Sequence, residues 1–149
     1  MLFNNYKAVI SILYYLLGED NFAITGSLAD YKHLEKDVVI NDIDLIIVNE
    51  KILENLNPYF KMVRTKAIED SNIPHIKRVY VYNILYIKVE IFVNEVFKEV
   101  EKKSFLNMSL NFINRNGRKK ELLDFIELST KQEDKDRVKK YTQKLNRYK

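Results

Sequence analysis

The chain has 149 residues, with 25 Lys and Arg against 21 Asp and Glu, for a formal net charge of +4. It has no cysteine, which excludes disulfides, thiolate metal sites and thiol nucleophiles, and two histidines, His33 and His75, are too few for a histidine-rich metal centre. A hydrophobic content of 46% is that of a globular chain, no apolar run approaches the roughly 18 residues of a membrane span, and no small-residue cleavage site follows the apolar stretch Ala8–Leu17, so the cytoplasm is the expected location.

The length predicts one domain, residues 1–149, with a core over 21–93 and a helical, basic part over 94–149. Charge is unevenly spread. Residues 1–101 carry 11 Lys/Arg and 15 Asp/Glu, a net of −4, whereas residues 102–149 carry 14 and 6, a net of +8. A basic half beside an acidic body suits a polyanionic partner.

In chain order, Asn4–Leu17 reads as a helix, with Ala8, Ile12 and Leu16, and Val9 and Leu13, at helical spacing before Gly18. Asn21–Thr25 reads as a short strand running into Gly26-Ser27, and Val38–Val48 as a second strand. Lys51–Leu56 reads as a short helix ending before Pro58, and Tyr59–Thr65 as a strand. The alternating runs Ile76–Tyr82 and Leu85–Val93 read as a hairpin around Asn83. Further on, a helix is expected from Asn94 to about Leu106 and another over Arg118–Leu128 with Leu122, Phe125 and Ile126 inward. Thr130-Lys131-Gln132-Glu133 fits a capping box opening a last helix with Val138, Tyr141, Leu145 and Tyr148 as its stripe. The sum is an α+β fold, a small mixed sheet flanked by helices.

Chemistry is concentrated in Phe22-Ala23-Ile24-Thr25-Gly26-Ser27 and in Asn41-Asp42-Ile43-Asp44-Leu45-Ile46-Ile47-Val48. Strand parity puts Asp42 and Asp44 on one face, where their mutual repulsion favours a bound cation. Oxygen donors without His or Cys suit magnesium or manganese. Gly26-Ser27, coming off a strand, offers backbone N–H groups and a hydroxyl to an anion. Glu90, within Ile87-Lys88-Val89-Glu90-Ile91-Phe92-Val93, is the candidate third carboxylate. A carboxylate inside an apolar strand is costly unless it is paired, as with Lys88, or metal-bound.

This arrangement resembles the nucleotidyltransferase superfamily, the polymerase β-like fold. Its pattern is a hydrophobic residue, Gly, then Gly or Ser, a spacer, Asp-x-Asp or Asp-x-Glu framed by hydrophobics, and a later strand acid. Here Gly26-Ser27, Asp42-Ile43-Asp44 and Glu90 match it in order, over residues 21–93. The resemblance implies a metal-dependent transfer of a nucleoside monophosphate from a nucleoside triphosphate such as ATP to an acceptor hydroxyl, with release of pyrophosphate. Asp42, Asp44 and Glu90 would hold Mg2+ or Mn2+, and Glu90 would help accept the hydroxyl proton. Gly26 and Ser27 would hold the β- and γ-phosphates.

Lys32 and Lys36, in the spacer, are further candidates for reaching phosphate, against a plain reading as exposed loop lysines. His33 and His75 read as surface loop residues. The acceptor is a small hydroxylated molecule, a nucleic acid 3′ end, or a tRNA or protein; the basic C-terminal half, including Lys140 and Lys144, favours a nucleic acid bound apart from the nucleotide site. The alternative is a non-catalytic nucleic-acid- or partner-binding module on the same fold.

Overall fold

The computed structural model describes residues 3–35, 38–67, 76–97 and 99–149; His75 and Lys36 lie outside them. The elements run α1 (Phe3–Leu17), β1 (Phe22–Thr25), α2 (Gly26–Leu34), β2 (Ile43–Ile47), a 3-10 helix (Glu50–Asn55), β3 (Met62–Ala67), β4 (Ile76–Ile84), β5 (Ile87–Asn94), β6 (Val100–Phe105), β7 (Met108–Ile113), α3 (Arg115–Lys131) and α4 (Lys135–Asn146). The seven strands form one mixed sheet in the order β3-β4-β5-β2-β1-β7-β6. β2 runs antiparallel to β1 and parallel to β5, and β1 runs parallel to β7. The expected α+β fold with a mixed sheet is therefore the one found.

One face of the central strands is wholly apolar. Ile43, Leu45 and Ile47 of β2, with Ile24 and Phe22 of β1, are fully buried against a core that includes Val9, Ile10, Leu13 and Leu17 of α1. Each such side chain contributes about 1.5–3 kcal/mol by leaving water. The other face of β4 and β5 packs Val79, Val81 and Phe92 under Phe125 and Leu128 of α3. Leu122 of α3, Leu145 of α4 and Tyr148 complete a smaller cluster. Chain order thus brings α3 and α4 back over the sheet face opposite α1.

Several expectations are corrected. The helix expected over Asn94–Leu106 is instead the β6–β7 hairpin, paired from Val100↔Ile113 to Phe105↔Met108. Glu101, Lys102 and Lys103 have helix-forming side chains, but sheet pairing overrides propensity, and charges suit an edge strand. The capping box is not formed. Thr130 and Lys131 end α3, and Asp134 caps α4 by accepting from the Arg137 N–H at 3.1 Å. β2 starts at Ile43, so Asp42 sits on the bend entering it. The β4–β5 turn is Leu85-Tyr86, not Asn83, because Ile84 pairs with Ile87. Gly26-Ser27 opens a helix, α2, that occupies the first half of the spacer.

Candidate functional site

The site grows from the register of three adjacent strands. Thr25 pairs with Asp44 across β1 and β2, and Asp44 with Glu90 across β2 and β5. Cross-strand partners project to one face, so Thr25, Asp44 and Glu90 form a row about 5 Å apart per strand. α2 begins directly after Thr25, which presents its N-terminal end beside Asp44. Gly26 has φ +66, and a Cβ there would lie 2.0 Å from Asp44 Oδ2. The glycine is required both for the backbone bend and for the volume that the carboxylate fills.

The acids have different surroundings. The Asp44 carboxyl is pushed up to about 7, first by burial and then by the Glu90 charge, with Arg118 opposing. Among the described residues it has no ion-pair partner. Asp42 and Glu90 share one. Lys88 Nζ lies 3.2 Å from Asp42 Oδ2 and 2.9 Å from Glu90 Oε1, which holds the ammonium above its ordinary value, chiefly through the Glu90 hydrogen bond. Glu90 is thus salt-bridged to Lys88 and is the register partner of Asp44. Among the described residues no group of three or more Asp, Glu, His or Cys is gathered closely enough to hold a metal ion.

A cleft of about 310 Å3 opens over this edge. One wall carries Ser27, Asp30, Asp42 and Asp44; the other carries Lys140, Lys144 and Arg147. Lys140 and Lys144 are one helical turn apart on α4. Lys140 and Lys144 therefore lie on the same cleft as Asp42 and Asp44. Burial and then Arg118 hold the Lys144 ammonium below its ordinary value. Lys32 and Glu90 are not among the residues lining the cleft. The Lys32 ammonium lies 5.7 Å from the centroid of the Phe105 ring on β6, so α2 turns it away from the cleft. His33 is also corrected. Its side chain is fully buried, with Nε2 donating to the Ile113 carbonyl at 2.6 Å, and burial lowers its pKa.

Beneath the cleft lies a polar network that sequence reasoning missed. The Asp30 carboxylate accepts from Arg118 Nε at 2.7 Å and Nη2 at 2.9 Å, and from the Tyr148 hydroxyl. Arg118 Nη1 donates to Glu121 Oε1 at 2.5 Å, and the Thr25 hydroxyl donates to the same oxygen at 2.6 Å. Asp30 and Arg118 are 3% and 2% exposed. Burial would raise the Asp30 carboxyl, but the paired Arg118 hydrogen bonds overcome it and hold it below its ordinary value. Through Tyr148 the segment following α4 is tied to α2, which fixes the basic wall opposite the acidic one. Only the helical spacing of Arg118 and Glu121 hinted at any of this.

No protein-family model matches the chain, and no curated protein is similar to it in sequence. Solved structures are similar in fold. A Thermotoga maritima protein provisionally assigned as a nucleotidyltransferase superposes with a TM-score of 0.67 at 19% identity, over 94% of this chain and 96% of that one. The Megavirus polyadenylate synthase superposes with a TM-score of 0.63 at 11% identity, over 97% of this chain, which spans 33% of that longer one. An antigenic nucleotidyltransferase-like protein from Paracoccidioides brasiliensis gives a TM-score of 0.60 at 14% identity, over 97% and 75%. The chain has the nucleotidyltransferase fold. Among the described residues no helix is long and apolar enough to cross a membrane.

Proposed function

We propose that the chain is a metal-dependent nucleotidyltransferase, moving a nucleoside monophosphate from a nucleoside triphosphate to an acceptor hydroxyl and releasing pyrophosphate. The observation that carries this reading is the row Asp44–Glu90, set in register on parallel strands beside the start of α2. Asp42 stands one step before it, and Lys140, Lys144 and Arg147 line one cleft with Asp42 and Asp44.

By donor type, though not by closeness among the described residues, the acids suit a hard divalent cation. Three carboxylates without thiol or imidazole suit Mg2+ or Mn2+, and the raised Asp44 carboxyl is the state that a cation would relieve. Asp42, Asp44 and Glu90 would hold the ion. When bound, it would supply positive charge to the attacking and leaving oxygens of an in-line displacement.

The protein's own groups do the rest. The N–H groups at the start of α2 and the Ser27 hydroxyl receive phosphate oxygens, aided by the positive end of the helix. Lys140 and Lys144 neutralise the triphosphate from the opposite wall, and their charge assists departure of pyrophosphate. Gly26 keeps the floor open at Asp44. Asp30, Arg118 and Tyr148 hold the two walls in register.

The test is incubation with each labelled nucleoside triphosphate, with Mg2+ or Mn2+, against tRNA, primer-template DNA and aminoglycosides. Label transfer to one acceptor class, lost in Asp42→Asn/Asp44→Asn, is expected. A second reading, a non-catalytic binding module, draws on Lys88, which already neutralises two of the three acids. That reading expects no triphosphate to raise the melting temperature at millimolar concentration with either metal.

A further inference from the structure

Lys88 stands between two of the acids that the proposed reaction needs. It precedes Glu90 by two residues on β5, so both side chains take one face of the strand. From there its ammonium also reaches Asp42, on the segment entering β2, and so bridges two neighbouring strands. The bridge is only partly covered: Lys88, Asp42 and Glu90 side chains are 42%, 34% and 22% exposed. Asp44, the register partner of Glu90, is outside it.

The bridge and a metal ion need the same lone pairs. An ammonium within 3.2 Å of both carboxylates uses the oxygens that a cation would take, and a divalent ion beside a retained ammonium would repel it strongly. The lysine stem is flexible and half in solvent, so the ammonium can leave without unpacking the core.

We propose that Lys88 is a built-in counter-cation of the metal site, holding Asp42 and Glu90 in the resting protein and displaced from them when a divalent ion binds. The inference rests on the metal-dependent reading above. Lys88 is in this sense a positioning residue. It keeps two acids together, at the cost of weaker metal affinity, until the ion arrives.

The experiment is titration of the full chain with Mn2+, following free Mn2+ by electron paramagnetic resonance, for the parent, Lys88→Met and Lys88→Arg. Lys88→Met should bind Mn2+ at least about tenfold more tightly than the parent, because one competing charge is gone. Lys88→Arg should bind no more tightly than the parent. Without metal, Lys88→Met should melt below the parent, and Mn2+ should close the gap. In the parent itself, with isotope-labelled lysine, the Lys88 side-chain signal should move on adding diamagnetic Mg2+, with the midpoint of ion binding. Equal Mn2+ affinity in parent and Lys88→Met, or a Lys88 signal unmoved at saturating Mg2+, overturns the proposal and leaves the metal-dependent reading standing. Absence of Mn2+ binding in all three proteins up to millimolar overturns that reading, and the proposal with it.

Discussion

The Asp44 carboxylate occupies the space that a side chain at Gly26 would need. A Cβ at Gly26 would sit 2.0 Å from Asp44 Oδ2 and 2.8 Å from its Cγ, and the φ of +66 is one that other residues adopt only with strain. The first residue of α2 and the central acid of β2 are therefore one structural unit. Gly26→Ala should push the carboxylate out of line with Glu90. A loss of roughly 2–4 kcal/mol is expected from overlap and backbone strain together. Urea unfolding measures that loss, and triphosphate binding should fall with it. A Gly26→Ala protein as stable as the parent would show that Asp44 has room elsewhere.

Asp44 is held at a cost to the fold. Its carboxyl is pushed up to about 7 by burial and by Glu90, above the roughly 3.9 of an unfolded aspartate. The folded state therefore binds the extra proton between those values. The stability this brings is complete below about pH 4 and is lost as pH rises towards 7, to the extent of roughly 2–4 kcal/mol. Asp44→Asn removes the charge. It should be more stable than the parent at pH 8, little different at pH 4, and inactive. Urea midpoints at the two pH values test this, and a variant equally destabilised at both would count against it.

How much of this was legible in the sequence depends on the range of the interactions. The Asp42-Ile43-Asp44 step and the acid within the Ile87–Val93 run are visible because strand alternation is local and the apolar neighbours frame the acids. The β6–β7 hairpin was hidden. Its edge strand carries Glu101, Lys102 and Lys103, and its turn uses Leu106 and Asn107 at φ +52 and +65, without a glycine to announce it. The Asp30 network was hidden for a different reason. Its partners are 88 and 118 residues away, and the chain gives no periodic sign of such distant pairings.

That network predicts a large asymmetry between single and paired substitutions. Arg118→Met leaves the Asp30 carboxylate buried without its fork of donors, and breaking a buried pair in this way costs about 3–5 kcal/mol. Asp30→Asn with Arg118→Met removes both charges and should recover part of the loss. A double-mutant cycle by urea unfolding reads the coupling directly. Additive losses would mean that the two groups do not depend on each other.

The β4–β5 turn stores strain of another kind. Leu85 and Tyr86 have φ of +50 and +67, a pair of values that suits Asn-Gly, and their side chains are 53% and 100% exposed. Little packing is lost by replacing them. Leu85→Asn with Tyr86→Gly should stabilise the chain by about 1 kcal/mol. A lower melting temperature would show that the exposed pair makes contacts that its exposure does not suggest.

The last prediction concerns the basic wall. Lys140 and Lys144 line the same cleft as Asp42 and Asp44, so their charge acts on whatever phosphate lies against those acids. Reversing both to Glu places two negative charges opposite two others, and like charges across a narrow cleft oppose the entry of a triphosphate. Triphosphate affinity should fall by at least about tenfold, since each lysine contact with phosphate is a charge-assisted one. Lys140 is exposed and Leu145 and Tyr148, on the packed side, are unchanged, whereas Lys144 is half-buried, so the melting temperature of the reversed protein is read beside its affinity. Nucleic-acid binding provides the contrast. If the acceptor is a polynucleotide lying along the same wall, its binding should also weaken, and its salt dependence should flatten by about one slope unit for each lost phosphate contact. Triphosphate binding unchanged in the reversed protein would mean that the two walls do not serve one ligand. The C-terminal lysines would then be assigned to the acceptor alone.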